Sequence, residues 1–226
     1  VWLQSVSVGG LWILSFAIYY ISYQLYKLMR NGYSNELGLK IISPILILTI
    51  MGSLRLGIAE GKSNESVKVA AIGTNSTIGG PGMPDSDLRR ANRQGIFKRM
   101  IQASNAGAEL IVWTEGSAGL MPEEEQDFQR EVSALTDSLN VTSIVSYVVL
   151  ESTEPFHYEN KYILIDSLGS IQSTYLKHEP VPGEPCTKGV EPHKVYNMDG
   201  IQVGGAICYD FDFPSLGMAI ANKGAD

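Results

Sequence analysis

Three residues with reactive side chains, Glu115, Lys177 and Cys208, each come at or just after the end of a short run typical of a β-strand. A cysteine can attack an acyl carbonyl once its thiol is deprotonated. A carboxylate can accept that proton, and a lysine ammonium can stabilise the negative oxygen that forms at the attacked carbonyl. The three side-chain types together are sufficient for chemistry that passes through a thioester.

Each of the three residues also has a simpler interpretation. Cys208 follows the small, apolar run Ile201–Ile207, which predicts a buried strand, and a free cysteine is often a core residue. A glutamate in the loop after a strand is often solvated, and a lone lysine usually lies at the surface. The change from strand to helix after Cys208 brings the sulfur near backbone N–H groups that favour a thiolate, but this stretch alone favours the core interpretation. Glu115 and Lys177, each at the end of another strand, reverse that preference.

The elements that must position these residues form a predicted α/β domain from residue 67 onward. Its first two strands are separated by a helix that Asp85 or Ser86 caps, which predicts a parallel pair, and the turn Ser167–Gly169 predicts a hairpin. The glycine-rich segment 74–87 is predicted to be a plain loop, since no phosphate-loop lysine follows it. The predicted strands are 67–73, 110–113, 141–150, 158–166, 171–176 and 201–207, and the predicted helices are 87–105, 122–139 and 215–221.

Residues 1–60 differ in kind from the rest of the chain. The run Val6–Tyr26 carries no charge, and its far end is rich in tyrosine and followed by cations, as at a membrane interface. The run Leu39–Ile58 is also long and mostly apolar. We predict two transmembrane helices here, followed by a polar linker at 61–66 and a catalytic domain at 67–226. The alternative is a pair of buried helices in a soluble protein.

The short loop between these two runs predicts the orientation of the chain. It holds Lys27, Arg30 and Lys40 against the single acid Glu36. Short loops with excess positive charge stay in the cytoplasm. The sequence therefore predicts an integral membrane protein of the plasma or inner membrane, with residues 67–226 on the extracytoplasmic side.

Composition excludes several other classes. The net charge of −7 without a dense basic stripe argues against nucleic acid as a partner. Two cysteines cannot form a disulfide framework, so we expect Cys186 and Cys208 to be free thiols. The three histidines lack metal-ligand spacing, which predicts no metal site and no cofactor. The chain begins at Val1 and stops in mid-pattern, so we expect a piece of a longer protein.

Three segments in order resemble the nitrilase, or carbon–nitrogen hydrolase, superfamily: Trp113–Ala118, Tyr175–Glu184 and Ala206–Asp210. The resemblance implies an α-β-β-α sandwich, incomplete at its C-terminus, and a catalytic triad of Glu115, Lys177 and Cys208. It also implies supporting roles for Glu184, on the proline-stiffened loop after Lys177, and for Tyr209 beside the nucleophile.

Two membrane spans before such a domain look like the membrane branch of the superfamily, the apolipoprotein N-acyltransferases. That resemblance implies a phospholipid acyl donor, a thioester on Cys208 and a lipoprotein whose N-terminal amine accepts the acyl group. One alternative is a membrane-anchored, amidase-like hydrolase of small amides. A second alternative is a non-catalytic membrane scaffold that retains the fold.

Overall fold

The structure is a computed structural model that describes residues 2–60, 66–74, 83 and 85–225. It divides into two compact units, Val1–Ser66 and Val67–Asp226. Nearly all of the predicted linker at 61–66, and most of the glycine-rich part of the predicted loop at 74–87, lie outside the described residues.

The first unit is a pair of long helices. A short 3₁₀-helix, Trp2–Ser5, leads into α1 (Val6–Asn31), and α2 follows at Asn35–Glu60. The indole Nε1 of Trp2 donates a hydrogen bond to Oγ1 of Thr49, 2.9 Å away, which joins the N-terminal turn to α2. Both helices carry large apolar side chains that are exposed in this unit, including Leu11, Trp12, Phe16, Ile18, Leu46, Ile47, Ile50 and Leu54.

Only one helix in the described part of the chain, at Asn35–Ile58, is long and apolar enough to cross a membrane. It contains the predicted second span. The predicted first span, Val6–Tyr26, is helical but does not reach the same apolar character, so two transmembrane helices are not confirmed. Much of its apparent hydrophobicity comes from tyrosine rings, which are amphipathic, and Gly10 (φ 62°) interrupts the helix.

The second unit is a mixed α/β domain. A six-stranded sheet holds β1 to β6 in the order β1-β2-β4-β5-β6, with β3 beside β4, and β7 and β8 form a separate two-stranded sheet. The strands are β1 (Val69–Ile72), β2 (Leu110–Trp113), β3 (Gly119–Leu120), β4 (Thr142–Thr153), β5 (Phe156–Ile165), β6 (Ile171–Leu176), β7 (Val195–Met198) and β8 (Ile201–Gly204). The helices are α3 (Ser86–Asn105), α4 (Glu125–Leu139) and α5 (Pro214–Ala221), with 3₁₀-helices at Pro122–Glu124 and Cys208–Asp212.

Strand pairing in the large sheet follows the predicted pattern. Strands β1, β2 and β4 are parallel, which confirms the predicted parallel pair, and β5 and β6 form the predicted antiparallel hairpin. Ile72 pairs with Trp113, so β1 and β2 end level with each other. The carboxyl ends of the parallel strands therefore lie at one edge of the sheet, where open α/β sheets carry their functional groups.

One face of this sheet packs against α3 and α4. Phe128 of α4 is fully buried and contacts Tyr147 edge-on, with ring centroids 5.2 Å apart, and Trp113 at 6.1 Å. Helix α3 begins as the sequence predicts, because the side chain of Asp85 accepts a hydrogen bond from the N–H of Leu88 at 2.9 Å. This aromatic packing holds β2 and β4 in place, and Glu115 follows directly after β2.

The opposite face of the sheet packs against the segment that follows β8. Tyr162 and Tyr175 stack there with ring centroids 5.0 Å apart, and the hydroxyl of Tyr162 donates to the carbonyl of Gly205 at 3.0 Å. A Cβ on Gly204 would lie 2.5 Å from Cγ2 of Ile220, so α5 packs closely against β8 only because residue 204 is glycine. The layers therefore run helices, large sheet, two-stranded sheet and helix, which is consistent with the expected sandwich.

The predicted buried strand at 201–207 is wrong in two respects. Strand β8 ends at Gly204, and all four of its residues are only half-buried. Its partner is β7, which the sequence analysis does not predict. Glycine and alanine at 204–206 explain the early end, because residues without a packing side chain weaken a strand. Residues 205–207 instead run as an extended lead into the 3₁₀-helix that begins at Cys208.

Candidate active site

Lys177 lies at the centre of the site. Its side chain is 1 % exposed, so the interpretation as an ordinary surface lysine is wrong. Its Nζ lies 2.9 Å from Oε1 of Glu115 and 2.8 Å from Oε2 of Glu184. Burial disfavours the ammonium form, but hydrogen bonds to Glu184 and Glu115 outweigh burial and raise the pKa of Lys177. The lysine is therefore a fixed positive charge at neutral pH.

The end of β6 holds the lysine through its backbone. The N–H of Lys177 donates to the carbonyl of Asn160 at 2.8 Å, and its own carbonyl accepts from the N–H of Gly189 at 2.7 Å. A Cβ on residue 189 would lie 2.3 Å from the carbonyl oxygen of Leu176, so the returning chain can approach this closely only as glycine. The main chain of Lys177 is thus held between β5 and the loop that returns past it.

Glu115 lies in a tight turn immediately after β2. Gly116 adopts φ 60°, and its N–H donates to Oγ of Ser146 on β4 at 3.2 Å. The hydroxyl of Ser117 donates to the carbonyl of Thr114 at 2.6 Å and closes the turn. These contacts direct the carboxylate of Glu115 toward Lys177, so the alternative of a free loop carboxylate is not what the structure shows.

The position of Glu184 is determined by the turn Val181–Glu184. Proline and then glycine occupy the central positions, with Gly183 at φ 88°, as a type II turn requires. The N–H of Glu184 donates to the carbonyl of Val181, and the N–H of Val181 donates to Oε2 of Glu184, both at 2.8 Å. The turn thus delivers Glu184 into direct contact with Lys177.

Burial would raise the pKa of Glu184, but hydrogen bonds from Lys177 and from the N–H of Val181 outweigh burial and hold that pKa below its usual value. The hydroxyl of Tyr158 also donates to Oε1 of Glu184 at 3.1 Å. Glu184 is therefore ionised at neutral pH and shares Lys177 with Glu115.

Asn160 joins the two carboxylates and is a residue that the sequence analysis missed. Its Nδ2 donates to Oε1 of Glu115 at 2.7 Å and to Oε1 of Glu184 at 3.3 Å, and the residue is 2 % exposed. A signal was present, because Tyr158 and Asn160 are polar residues two positions apart in β5 and therefore share a face. That face is the one turned toward Glu184.

Cys208 begins the 3₁₀-helix Cys208–Asp212 and is exposed, so its interpretation as a core residue is wrong. Its φ of 49° lies in the left-handed region, which is unusual for a residue with a Cβ. The carboxylate of Glu115 and the backbone N–H of Tyr209 lie near the thiol and influence its pKa in opposite directions. The structure thus brings Glu115, Lys177 and Cys208 together at one edge of the large sheet.

The resting form of Cys208 is a neutral thiol. Partial burial and then Glu115 raise the pKa of Cys208, and the opposing effects of Lys177 and the Tyr209 N–H are smaller. The expectation that this position favours a thiolate is therefore wrong. A neutral thiol needs a general base before it can attack, and the carboxylate of Glu115 in the same cavity can serve as that base.

The backbone of Tyr209, and not its ring, lies next to the thiol of Cys208. Its ring packs edge-on against Phe213, with centroids 5.4 Å apart, while its N–H lies beside the sulfur of Cys208 and opposes the rise in the pKa of the thiol. A backbone N–H beside the nucleophile is in a position to bind the oxygen of an attacked carbonyl. The supporting role of Tyr209 stays a prediction, and its backbone N–H is the group that lies nearest the nucleophile.

Asp210 is a second residue that the sequence analysis did not place in the site. It is completely buried, and its Oδ2 accepts from the hydroxyl of Tyr175 at 2.7 Å and from the N–H of Ile207 at 2.9 Å. Its Oδ1 accepts from the N–H groups of His178 and Glu179 at 3.1 and 2.7 Å. The carboxylate therefore bridges the turn of the cysteine and the end of β6.

Both cysteines are free thiols, as the sequence predicts. Cys186 is buried beside Tyr158 and Val148, and burial raises the pKa of its thiol to about 12. Cys208 is the exposed cysteine, so an added electrophile should react with Cys208 before Cys186.

An apolar cavity of about 360 Å³ lies beside the reactive residues. Glu115 and Cys208 form part of its wall, and most of the remaining wall is apolar. The apolar lining includes Val112, Ile144, Val203, Ala206, Ile207 and Phe211. The carbonyl substituent of a substrate held at Cys208 would meet hydrocarbon on this side.

Comparison with known proteins places the second unit in a family. The family model for carbon–nitrogen hydrolases matches residues 68–226, which is more than half of the chain. The chain belongs to the carbon–nitrogen hydrolase family. The predicted nitrilase resemblance is thereby confirmed at the level of the family. A search of curated proteins finds no match for this carbon–nitrogen hydrolase.

Solved structures with the same fold include amidases from Nesterenkonia. An amidase from Nesterenkonia sp. is 20 % identical with a TM-score of 0.55, covering 71 % of this chain and 62 % of the amidase chain. A mutant of the amidase from Nesterenkonia sp. AN1 in complex with butyramide is 20 % identical with a TM-score of 0.57, with the same coverage. The chain therefore spans less than two thirds of the amidase length, and the similarity establishes the fold.

Proposed function

We propose that this chain catalyses acyl transfer through a thioester on Cys208. Glu115 takes the thiol proton as the sulfur attacks a neutral acyl carbonyl, and the ammonium of Lys177 with the N–H of Tyr209 stabilises the oxyanion. When the C–N or C–O bond breaks, protonated Glu115 returns the proton to the leaving amine or alcohol. The observation that carries the proposal is that Glu115 contacts Nζ of Lys177 and lines the same cavity as Cys208.

The second half of the reaction regenerates the thiol. Glu115 takes a proton from the incoming nucleophile, which attacks the thioester carbonyl, and the sulfur leaves and is reprotonated. We propose that this nucleophile is the N-terminal amine of a diacylglyceryl-cysteine lipoprotein and that the acyl donor is a phospholipid. Exposed apolar side chains along α1 and α2, such as Trp12 and Ile47, support a substrate that resides in a bilayer. The apolar wall beside Cys208 suits a fatty acyl group.

We further propose that α2 anchors the chain in a membrane, with α1 beside it, and that the carbon–nitrogen hydrolase domain faces the extracytoplasmic side. The apolar stretch Asn35–Ile58 supports the anchor. Lys27 and Arg30 near the end of α1 and Lys40 near the start of α2 support the orientation, because short connections flanked by positive charge stay in the cytoplasm.

A second candidate is an amidase-like hydrolase in which water is the second nucleophile. The family match and the amidase fold of the solved neighbours favour this alternative. The chemistry up to the thioester is the same in both candidates. They differ in the acyl donor and in what removes the acyl group from Cys208.

Incubation with phosphatidylethanolamine vesicles tests the first candidate. We expect a fatty acyl adduct on Cys208, seen as added mass on the peptide that contains this residue and removed by neutral hydroxylamine. The variant Cys208→Ser should carry no hydroxylamine-sensitive adduct. A diacylglyceryl-cysteine peptide added afterwards should remove the acyl group and gain its mass.

Butyramide provides the opposing test. Release of ammonia from butyramide by wild type but not by Cys208→Ser, with no adduct from phospholipid, would establish the amidase-like alternative and overturn transfer. A wild-type chain that forms no adduct with either donor would indicate the non-catalytic scaffold.

A further inference from the structure

Asp210 is satisfied by an unusually complete set of donors. The carboxylate is fully buried and accepts hydrogen bonds from the hydroxyl of Tyr175 and from the N–H groups of Ile207, His178 and Glu179, at distances of 2.7 to 3.1 Å. A buried carboxylate with four donors is strongly held, because losing any one contact leaves a polar group without a partner. Asp210 therefore restrains every element that donates to it.

The donors belong to two separate parts of the chain that carry reactive residues. Three of them lie within two positions of Lys177, at the end of β6. The fourth is the N–H of Ile207, the residue directly before Cys208. One side chain thus links the backbone that holds the lysine to the backbone that holds the nucleophile.

The conformation of Cys208 requires such a restraint. A φ of 49° is unfavourable for a residue with a Cβ, and positions of this kind persist only where their surroundings hold them. The 3₁₀-helix that begins at Cys208 is five residues long and offers few backbone hydrogen bonds of its own. The contact of Asp210 with the N–H of Ile207 closes this turn from within, and the other three contacts connect it to the sheet.

We infer that Asp210 is a positioning residue that sets the placement of Cys208 relative to Lys177, an inference that rests on the proposed role of Cys208 as nucleophile. Acylation of Cys208 needs the thiol and the ammonium of Lys177, which binds the oxyanion, at the correct distance and angle from each other. Alkylation of the same thiol by iodoacetamide needs only the thiol. A positioning role therefore predicts that loss of Asp210 slows acylation far more than alkylation.

The test compares these two reactions in the full chain. In acylation by p-nitrophenyl butyrate, a bond forms between Sγ of Cys208 and the carbonyl carbon, the ester C–O bond breaks, p-nitrophenolate leaves and Glu115 takes the thiol proton. We expect Asp210→Asn to lower the acylation rate by about tenfold to a hundredfold, the cost of a misplacement of about 1 Å. The plateau rate of alkylation at high pH should stay at the wild-type value.

Two further variants separate positioning from stability. Asp166→Asn alters another buried carboxylate, which accepts hydrogen bonds in the β5–β6 turn from the N–H groups of Leu168 and Ser170 and from the amide of Gln172. We expect it to lower the unfolding midpoint and leave the acylation rate unchanged. Tyr175→Phe removes one of the four donors and should cause a smaller acylation loss in the same direction as Asp210→Asn.

The outcomes are distinct. A ratio of acylation to alkylation that equals the wild-type ratio in Asp210→Asn, or in Tyr175→Phe where Asp210→Asn does not fold, overturns the positioning role alone. A fall of that ratio in Asp166→Asn as large as in Asp210→Asn overturns it too, since the effect would then follow general stability. A wild-type chain that p-nitrophenyl butyrate does not acylate at Cys208 overturns the proposed function as well.

Discussion

At the scale of single residues, the site depends on a buried lysine that two carboxylates share. Lys177 is 1 % exposed, whereas Glu115 and Glu184 are 34 % and 13 % exposed. Removing the charge from the centre of such a cluster leaves two carboxylates close together without a counter-ion. The consequences for stability and for catalysis are therefore expected together.

Lys177→Met should lower the free energy of unfolding by about 3–5 kcal/mol, as for a buried ion pair that loses one partner. It should also slow acylation by p-nitrophenyl butyrate by roughly a hundredfold to a thousandfold, because the oxyanion loses its charged donor. Urea denaturation and stopped-flow release of nitrophenolate measure the two effects. Lys188→Met, which removes an exposed pair with Glu179, is the control and should change stability by less than about 1 kcal/mol.

Glu115→Gln should lower the pKa of Cys208, since the glutamate is a cause of its elevation. The pH at which iodoacetamide alkylates Cys208 at half its maximal rate should shift downward, because burial then opposes Lys177 and the Tyr209 N–H without the help of Glu115. Acylation by an ester should nevertheless become slower, because the base is gone. Glu109→Gln, at the opposite end of β2, should leave the alkylation profile unchanged, and an upward shift in Glu115→Gln would contradict the assignment.

The pH dependence of stability should show the depressed pKa of Glu184. A carboxylate whose folded pKa is lowered contributes stability that is present above its unfolded pKa, about 4.3, and is lost as pH falls through the folded pKa. The free energy of unfolding of wild type should therefore decrease as the pH drops below about 4.3. The free energy of unfolding of Glu184→Gln should decrease less steeply over the same pH range. Equal slopes for both would contradict the prediction, and the exposed Glu123→Gln serves as the control.

At the scale of elements, turns that require particular residues deliver the reactive groups. The Val181–Glu184 turn needs φ 88° at Gly183, and nothing lies within 4 Å of a Cβ built there. The cost of a side chain at this position is therefore purely one of backbone conformation. Any displacement of the turn moves Glu184 away from Lys177.

Gly183→Ala should lower the free energy of unfolding by roughly 1 kcal/mol, the cost of a left-handed backbone for alanine. It should also weaken the contact between Glu184 and Lys177 and slow acylation of Cys208. The control Gly217→Ala, in the middle of α5 with no atom within 4 Å of the new Cβ, should raise stability by about 0.5–1 kcal/mol and leave acylation alone. Equal effects of Gly183→Ala and Gly217→Ala on stability and acylation would contradict a role for the Val181–Glu184 turn in positioning Glu184.

Local chemistry and the family resemblance allowed Glu115, Lys177, Cys208 and the supporting Glu184 to be predicted, but not Asn160 or Asp210. The three reactive residues each come at or just after the end of a strand-like run that is visible in the sequence. Asn160 contacts a carboxylate 45 residues away, and Asp210 contacts donors 31 to 35 residues away. Such pairs depend on strand order and register, which a run of residues does not encode.

The prediction for β8 erred for a related reason. The run Ile201–Ile207 is apolar apart from Gln202, but the strand ends at Gly204 because Gly205 and Ala206 offer little side chain to pack. The positive φ of Cys208 could not be predicted from the sequence either. It depends on the contacts of the surrounding residues and not on the backbone preference of cysteine. In both cases tertiary contacts overrode the local pattern.

At the scale of the whole molecule, the chain joins two units of different character. The unit Val1–Ser66 exposes long apolar side chains on both helices, whereas the unit Val67–Asp226 has an apolar core around β2, β4 and β5. This contrast is expected if the first unit meets lipid and the second meets water.

Introducing Arg at both Leu46 and Ile50, which are exposed on α2, should abolish membrane association. Each arginine near the centre of a membrane helix costs about 2.5–3.5 kcal/mol on insertion scales. Carbonate-resistant sedimentation with membranes measures the effect. Leu168→Arg, in the exposed β5–β6 turn, should sediment like wild type, and retention of the doubly substituted chain in the membrane pellet would refute the proposed anchor.

The sharing of Lys177 by Glu115 and Glu184 also determines which molecules the site admits. Two carboxylates and one ammonium leave one uncompensated negative charge among these three side chains. Neutral esters and amides can enter without penalty, whereas a free carboxylic acid in its ionised form is repelled. A cationic amine is attracted to the same place. In the proposed acyl transfer, this negative charge would favour the approach of an amine acceptor and disfavour inhibition by free fatty acids.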